Sequence, residues 1–135
     1  MGESLSQLVD LPDELLLIIF KYLSNVLALY SFMGINRRFD QILRDSSFTN
    51  YLTLVTYSRN SCFYPMSLQI IDYFYFNVLP KIHHKIQWLN LEASSMERLL
   101  LATSYPKLYG LGLYNVKQET IEQYFTGRNL NVFAY

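Results

Sequence analysis

The chain has 135 residues, 51% hydrophobic and only 16% charged, against a usual charged share of about 25%. Eleven basic residues balance eleven acidic ones, which excludes a charged disordered arm and removes any general attraction for nucleic acid. A single cysteine, Cys62, allows neither an internal disulfide nor a Cys-rich zinc site and points to a reducing compartment, cytoplasm or nucleus.

Residues 5–52 read as three short helices. Pro12 suits the first helical position, and Asp13, Glu14 and Lys21 sit where the helix dipole favours their charges. Leu11, Leu15, Ile18, Ile19, Tyr22 and Leu23 fall on one face at helical spacing, while Leu16, Leu17 and Phe20 fall mostly on another. A solvent-facing helix needs one apolar stripe, so the second must be buried against something. The run Leu15–Phe20 is six residues long and is preceded by acidic residues, with no basic residue before Lys21. That is neither the roughly 18 residues of a membrane span nor an export signal, and no Asn-x-Ser/Thr acceptor is present. Ser24 can cap a second helix over 26–33 with Gly34 as its stop, and Asn36 can cap a third, with Phe39, Ile42 and Leu43 inward. The Ser46-Ser47 pair ends it. So small a helical unit ordinarily needs outside support.

The stretch Leu11-Pro12-Asp13-Glu14-Leu15, followed by Ile18, Phe20, Tyr22-Leu23, Leu29-Tyr30-Ser31-Phe32 and Asn36-Arg37-Arg38-Phe39, resembles an F-box over about a third of the chain. Phe39 stands where that family most often has Trp, and Phe48 and Tyr51 replace its closing Leu-Trp. The resemblance implies docking onto the Skp-type adaptor of a cullin-based ubiquitin ligase. The adaptor contacts expected on that reading are Leu11, Pro12, Leu16 and Phe20 from the first helix, with Leu27, Tyr30 and Ile35 from the second.

Residues 53–85 read as a bridge. Residues 52–57 are β-branched and aromatic enough for a strand. Pro65 then opens a helix carrying Leu68, Ile71, Phe74 or Tyr75, and Val78 on one stripe, closed by Pro80.

Residues 86–135 repeat at a step of 22. Ile86, Leu89 and Leu91 match Leu108, Leu111 and Leu113, and a further step gives Leu130, Phe133 and Tyr135. The pattern resembles leucine-rich repeats, although Ser94 and Val116 stand where those repeats carry Asn or Cys; a plain strand–helix–strand unit is the other reading. Ser94-x-x-Glu97 forms a capping box, Pro106 keeps that helix out of the next strand, and Asn115 can cap the following helix, with Gly127 as its stop. The intervening strand residues Trp88, Asn90 and Glu92 face away from the leucines beside Gly110, Gly112 and Tyr114. These six are the expected target-binding surface: the glycines form a shallow floor walled by Trp88 and Tyr114, or Trp88 folds over Gly110 to shield the sheet. No polar unit follows Tyr135, so a longer array or another chain is expected over this end.

Catalytic chemistry is thin. His83 and His84 are adjacent and make a poor metal pair, Cys62 lacks a reactive signature, Gly110 and Gly112 do not make a phosphate loop, and the basic pair Arg37-Arg38 reads as solvated or partner-facing. No catalytic residue, metal or cofactor is expected. The resulting expectation is an α+β chain, a three-helix F-box followed by a short leucine-rich-repeat-like solenoid, that recruits a target protein to a ligase through a Skp-type adaptor and cullin. The alternative is a scaffolding repeat protein whose helical N-terminus caps the solenoid.

Overall fold

The structure, a computed structural model, describes residues 7–58, 60, 62–128 and 130–135. After a helical turn at 7–9, Pro12 occupies the N-cap of α1 (Asp13–Tyr22), one residue outside the helix it was expected to begin. Ser24 caps α2 (Asn25–Phe32), its hydroxyl accepting from the Leu27 N–H at 3.2 Å. Asn36 caps α3 (Arg37–Leu43), accepting from the Phe39 N–H at 2.8 Å. The serine pair does not end this region but begins a further turn, α4 (Ser46–Thr49). Asp45 makes that possible: its carboxylate accepts the Ser47 N–H at 2.9 Å and the Ser47 hydroxyl at 2.7 Å. The same two hydrogen bonds hold the Asp45 carboxyl below its ordinary pKa.

Phe20 is the centre of the helical core. Its ring stacks on Phe32 at 4.7 Å and meets Phe39 and Phe48 edge-on at 5.4 and 6.5 Å, with Leu16, Leu29 and Leu43 fully buried around it. Part of the chain's aromatic surplus is therefore core.

The bridge differs from expectation at both prolines. β1 (Tyr51–Tyr57) pairs antiparallel with β2 (Phe63–Pro65), so Pro65 ends an edge strand, where a missing N–H costs no ladder bond. Ser67 caps α5 (Leu68–Tyr73), accepting from the Ile70 N–H at 3.4 Å. The helix then continues through a π turn, Phe74–Val78, into α6 (Leu79–Ile82), with Pro80 in the first turn of α6. Proline cannot donate to the carbonyl four residues back and its ring crowds that carbonyl; the wider turn before it accommodates both. A 3-10 turn, His83–Lys85, leads to the sheet.

The remaining elements are β3 (Trp88–Glu92), α7 (Ala93–Ala102), β4 (Gly110–Tyr114), α8 (Gln118–Phe125) and β5 (Asn131–Ala134). The strand order is β2-β1-β3-β4-β5, with β1, β3, β4 and β5 parallel. The 22-residue step is the register of β3 on β4, Leu89 opposite Leu111 and Leu91 opposite Leu113. β1 extends both rows, Leu52 opposite Leu89 and Leu54 opposite Leu91. The next step is shorter by one. Val132 pairs with Leu111 and Ala134 with Leu113, so Phe133 and Tyr135 turn to the other face, 51% and 64% exposed. Val-Phe-Ala-Tyr is apolar in both phases, and side-chain size decides between them. α8 buries none of its residues, and the small Val132 and Ala134 suit that thin cover, whereas Phe133 gains a stacking partner in Trp88 at 5.7 Å.

Two expected helix caps are replaced. α7 begins at Ala93, one residue before the proposed Ser94–Glu97 box, because Glu92 caps it: one carboxylate oxygen accepts the Ser94 N–H at 2.5 Å and the Ser94 hydroxyl at 2.7 Å. Asn115 adopts a left-handed φ of 62° and donates its side-chain amide to the Phe63 carbonyl at 3.1 Å, leaving α8 to start after Lys117.

One continuous core runs from Leu16 in α1 to Leu113 in β4. The boundary read at 52/53 falls inside β1, whose Leu52 and Leu54 belong to that core. Among the described residues no helix is long and apolar enough to cross a membrane. Glu92→Ala removes the α7 cap and is expected to lower unfolding stability by about 1 kcal/mol, read as a lower urea midpoint at unchanged m-value. An unchanged midpoint would mean that the helix start is held by packing alone.

Candidate functional site

Among the described residues, exposed apolar side chains include a stripe on the helices and a group on the sheet. On α1 the two stripes resolve oppositely to expectation. Leu16 and Phe20 point inward and are fully buried, so they are core residues and not contacts for another protein. The outward stripe is Leu15, Ile18 and Tyr22, 46%, 54% and 87% exposed, and it begins at the half-buried Leu11 and the exposed Pro12. The reason is ring packing: only the Phe20 side of α1 meets Phe32, Phe39 and Phe48.

Of the residues expected on the second helix, Leu27 and Ile35 are exposed. Tyr30 is half-buried and packs edge-on against Tyr73 at 5.1 Å, so it faces α5. Arg38 binds the start of α1 to α3. Its guanidinium forms an ion pair with Asp13 at 2.5 Å and donates to the Val9 carbonyl at 2.7 Å and to the Leu11 carbonyl. The segment bearing Leu11 and Pro12 is thereby tied to the turn bearing Ile35, three residues before Arg38. The basic pair is thus split: Arg37 is exposed, while Arg38 is spent inside the chain.

Among the described residues, the helices pack on the leucine side of the sheet. α7 packs on β3 and β4 there, burying Met96 and Leu99. The opposite face gathers aromatic rings into two groups. Tyr51, Trp88 and Phe133 form a stacked row with centroids 6.4 and 5.7 Å apart, and Tyr109 meets Tyr51 and Trp88 edge-on. At the other end of the strands, Phe63 lies 4.3 Å from Tyr114, which stacks on Tyr135 at 4.8 Å. Between the groups runs a polar line in which the Trp88 indole donates to Asn90 at 2.8 Å and Asn90 donates to Thr53 at 3.0 Å.

The target-binding set is therefore only partly assembled as expected. Trp88, Asn90, Gly110 and Gly112 do share one face, but the glycines make no accessible floor: both are buried. A methyl on Gly110 would stand 2.1 Å from the Trp88 ring, and one on Gly112 would stand 2.1 Å from the Asn90 side-chain oxygen. Trp88 and Asn90 fold over them, which is the shielding arrangement. Glu92 leaves the surface altogether, 5% exposed and engaged as the α7 cap. Tyr114 is half-buried, wedged between Phe63 and Tyr135. The sequence pattern does not mark Tyr51, Tyr109 and Phe133 as site residues: Tyr51 arrives because β1 joins the sheet, Phe133 because of the 21-residue step to β5, and Tyr109 because it directly precedes β4 beside Trp88.

Hydrogen bonding between the Tyr51 and Tyr109 hydroxyls raises the Tyr109 pKa, with some burial adding to it, and burial beside Tyr135 raises that of Tyr114. The histidines lie elsewhere: His83 Nδ1 is 2.8 Å from the Ser104 carbonyl oxygen and His84 is exposed. Between α7 and α8 lies a cleft of about 310 Å³ lined by Leu100, Tyr105, Leu108, Phe125 and Arg128. Tyr105 at its wall donates to the Leu99 carbonyl at 2.6 Å, and its phenol is pushed up by burial.

The Trp88–Gly110 fit can be tested by a four-protein cycle in urea. Gly110→Ala alone is expected to cost about 1–3 kcal/mol through overpacking. In a Trp88→Ala background the same change should be neutral or slightly stabilising, because the strand loses a glycine with nothing above it. Equal costs in both backgrounds would show that Trp88 does not occupy the space over Gly110.

No protein-family model matches the chain, and no curated protein matches it in sequence.

Proposed function

We propose that this chain is a non-catalytic, substrate-recruiting subunit of an SCF-type ubiquitin ligase, docking onto a Skp-type adaptor through its helical unit and holding a target protein against the aromatic face of the sheet. The observation that carries the reading is the Leu15–Ile18–Tyr22 stripe, an apolar surface on a helix that has already buried its other face. Exposed apolar rows of this kind mark protein contacts. The stripe belongs to the segment that resembles an F-box, and Leu27 and Ile35 are exposed in the same unit. Beyond Leu11 and Pro12, the docking set on this reading is Leu15, Ile18, Tyr22, Leu27 and Ile35, replacing Leu16, Phe20 and Tyr30. The repeats behind the helices are read as leucine-rich-repeat-like units. The chain's work would be positioning: holding a target near the transferring enzyme raises its effective concentration there.

A scaffolding role has one observation in its favour, because α2 and α4 pack on β1 and cover that side of the sheet core. Capping accounts for the inward face of α1. It leaves the outward stripe without a purpose, which is why adaptor docking is preferred.

Binding of the purified chain to a Skp-type adaptor, measured by calorimetry, tests the proposal. The double variant Leu15→Lys/Ile18→Lys should weaken binding by about a hundredfold or more, since two charges would have to be desolvated in the contact, with circular dichroism unchanged because both side chains are outside the core. Lys at Tyr64, on β2, should leave the affinity as it is. Absence of binding by the unaltered chain, or full affinity in the double variant, would overturn the adaptor assignment.

A further inference from the structure

The two edges of the sheet differ in how they are protected. β2 is three residues long and ends in Pro65, the usual means of discouraging a further strand. β5 has no such device. Residues 129–135, Asn-Leu-Asn-Val-Phe-Ala-Tyr, contain no charge and no proline, and β5 pairs on one side only, with β4.

The ladder fixes which backbone groups remain. The Asn131 N–H donates to the Tyr109 carbonyl at 3.0 Å, the Tyr135 N–H to the Leu113 carbonyl at 2.8 Å, and the Tyr135 carbonyl accepts from Asn115 at 3.2 Å. Odd-numbered residues of β5 therefore address β4, and by strand alternation the N–H and C=O groups of Val132 and Ala134 point out of the sheet. An unprotected strand with two residues offering both groups is a template for another strand.

We propose that this edge binds the same edge of a second copy of the chain, antiparallel about a two-fold axis, joining two five-stranded sheets into one. The pattern is self-complementary. With Phe133 on the axis, Val132 faces the partner's Ala134 and Ala134 faces the partner's Val132, and each such pair exchanges two backbone hydrogen bonds. Phe133 then stands beside its symmetry mate in a non-hydrogen-bonded pair, where side chains approach most closely. The stacked row Tyr51–Trp88–Phe133 runs on into its two-fold-related copy. No like charges meet, because the strand has none. Two-fold closure uses up the β5 edge of each copy, so the product is a dimer and not a filament. The inference does not depend on the ligase reading, since it uses β5 alone. The contact is smaller than a standard stable interface, so the dimer should form at about 10–100 µM chain.

Sedimentation velocity across that range tests it. The unaltered chain should pass from monomer to dimer. Ala134→Pro removes an outward N–H without touching the β4 ladder, and Phe133→Lys places two ammonium groups side by side at the axis; each should raise the dissociation constant by about tenfold or more. Tyr64→Lys, on the opposite edge, should leave it unchanged. A chain that stays monomeric at about 0.5 mM overturns the proposal, as does a dimer that survives both β5 substitutions or one that is lost on Tyr64→Lys. Strand capture by an unrelated extended peptide in the monomeric chain would assign the edge to a foreign partner and likewise overturn it.

Discussion

The structure depends on β1 being shared. Leu52 and Leu54 are fully buried in rows that continue through Leu89 and Leu91, while α2 and α4 pack against the same strand. Polar bonds fasten the junction at its start. The Asn50 carbonyl accepts from the Gln87 and Trp88 N–H groups at 2.9 and 3.0 Å, and the Asn25 amide donates to the Tyr51 carbonyl at 3.0 Å. Helices that would be too small to stand alone thus borrow the core of the sheet, and the sheet gains a cover on the side where β1 would otherwise be exposed. Moving one part relative to the other would open the first parallel ladder.

That rigidity gives the arrangement of apolar surface its meaning. The phenylalanines are divided between a dry cluster around Phe20 and rings elsewhere, and Tyr51, Tyr109, Tyr114 and Tyr135 gather on the open face of the sheet, where one end of each ring can remain in water. The outward stripe of α1 belongs to a different element. The proposed receptor role would need two contact surfaces on one body, and the shared β1 joins the two parts that carry them.

Some of this was legible in the residues and some was not, for physical reasons that can be named. Ser24 and Asn36 were readable as caps because each stands directly before an apolar-periodic helix. Asp45 and Glu92 were not, because each lies beside serines, of which the pair at 46–47 reads as a helix end and Ser94 as the better cap; Ser47 and Ser94 in fact supply the N–H groups and hydroxyls that the carboxylates accept. The pairing of β3 with β4 was visible as a 22-residue repeat, whereas β1 joins β3 at a different spacing, with Leu52 opposite Leu89, and no repeat announces it. β5 slipped by one residue because Val132, Phe133, Ala134 and Tyr135 are apolar in both phases. The inward and outward stripes of α1 were both recognisable, but hydrophobicity does not rank Phe20 against Ile18; the three phenylalanine rings that select Phe20 come from α2, α3 and α4 and are brought together only by folding.

Hydrogen exchange of the chain, alone and with a Skp-type adaptor, addresses the central claim that a rigid two-part body presents its adaptor surface on α1 and leaves the sheet face free. The account predicts added protection confined to residues 11–35, with exchange in β3, β4 and β5 unchanged. Protection spread over residues 88–135, or none at the helices, would contradict it.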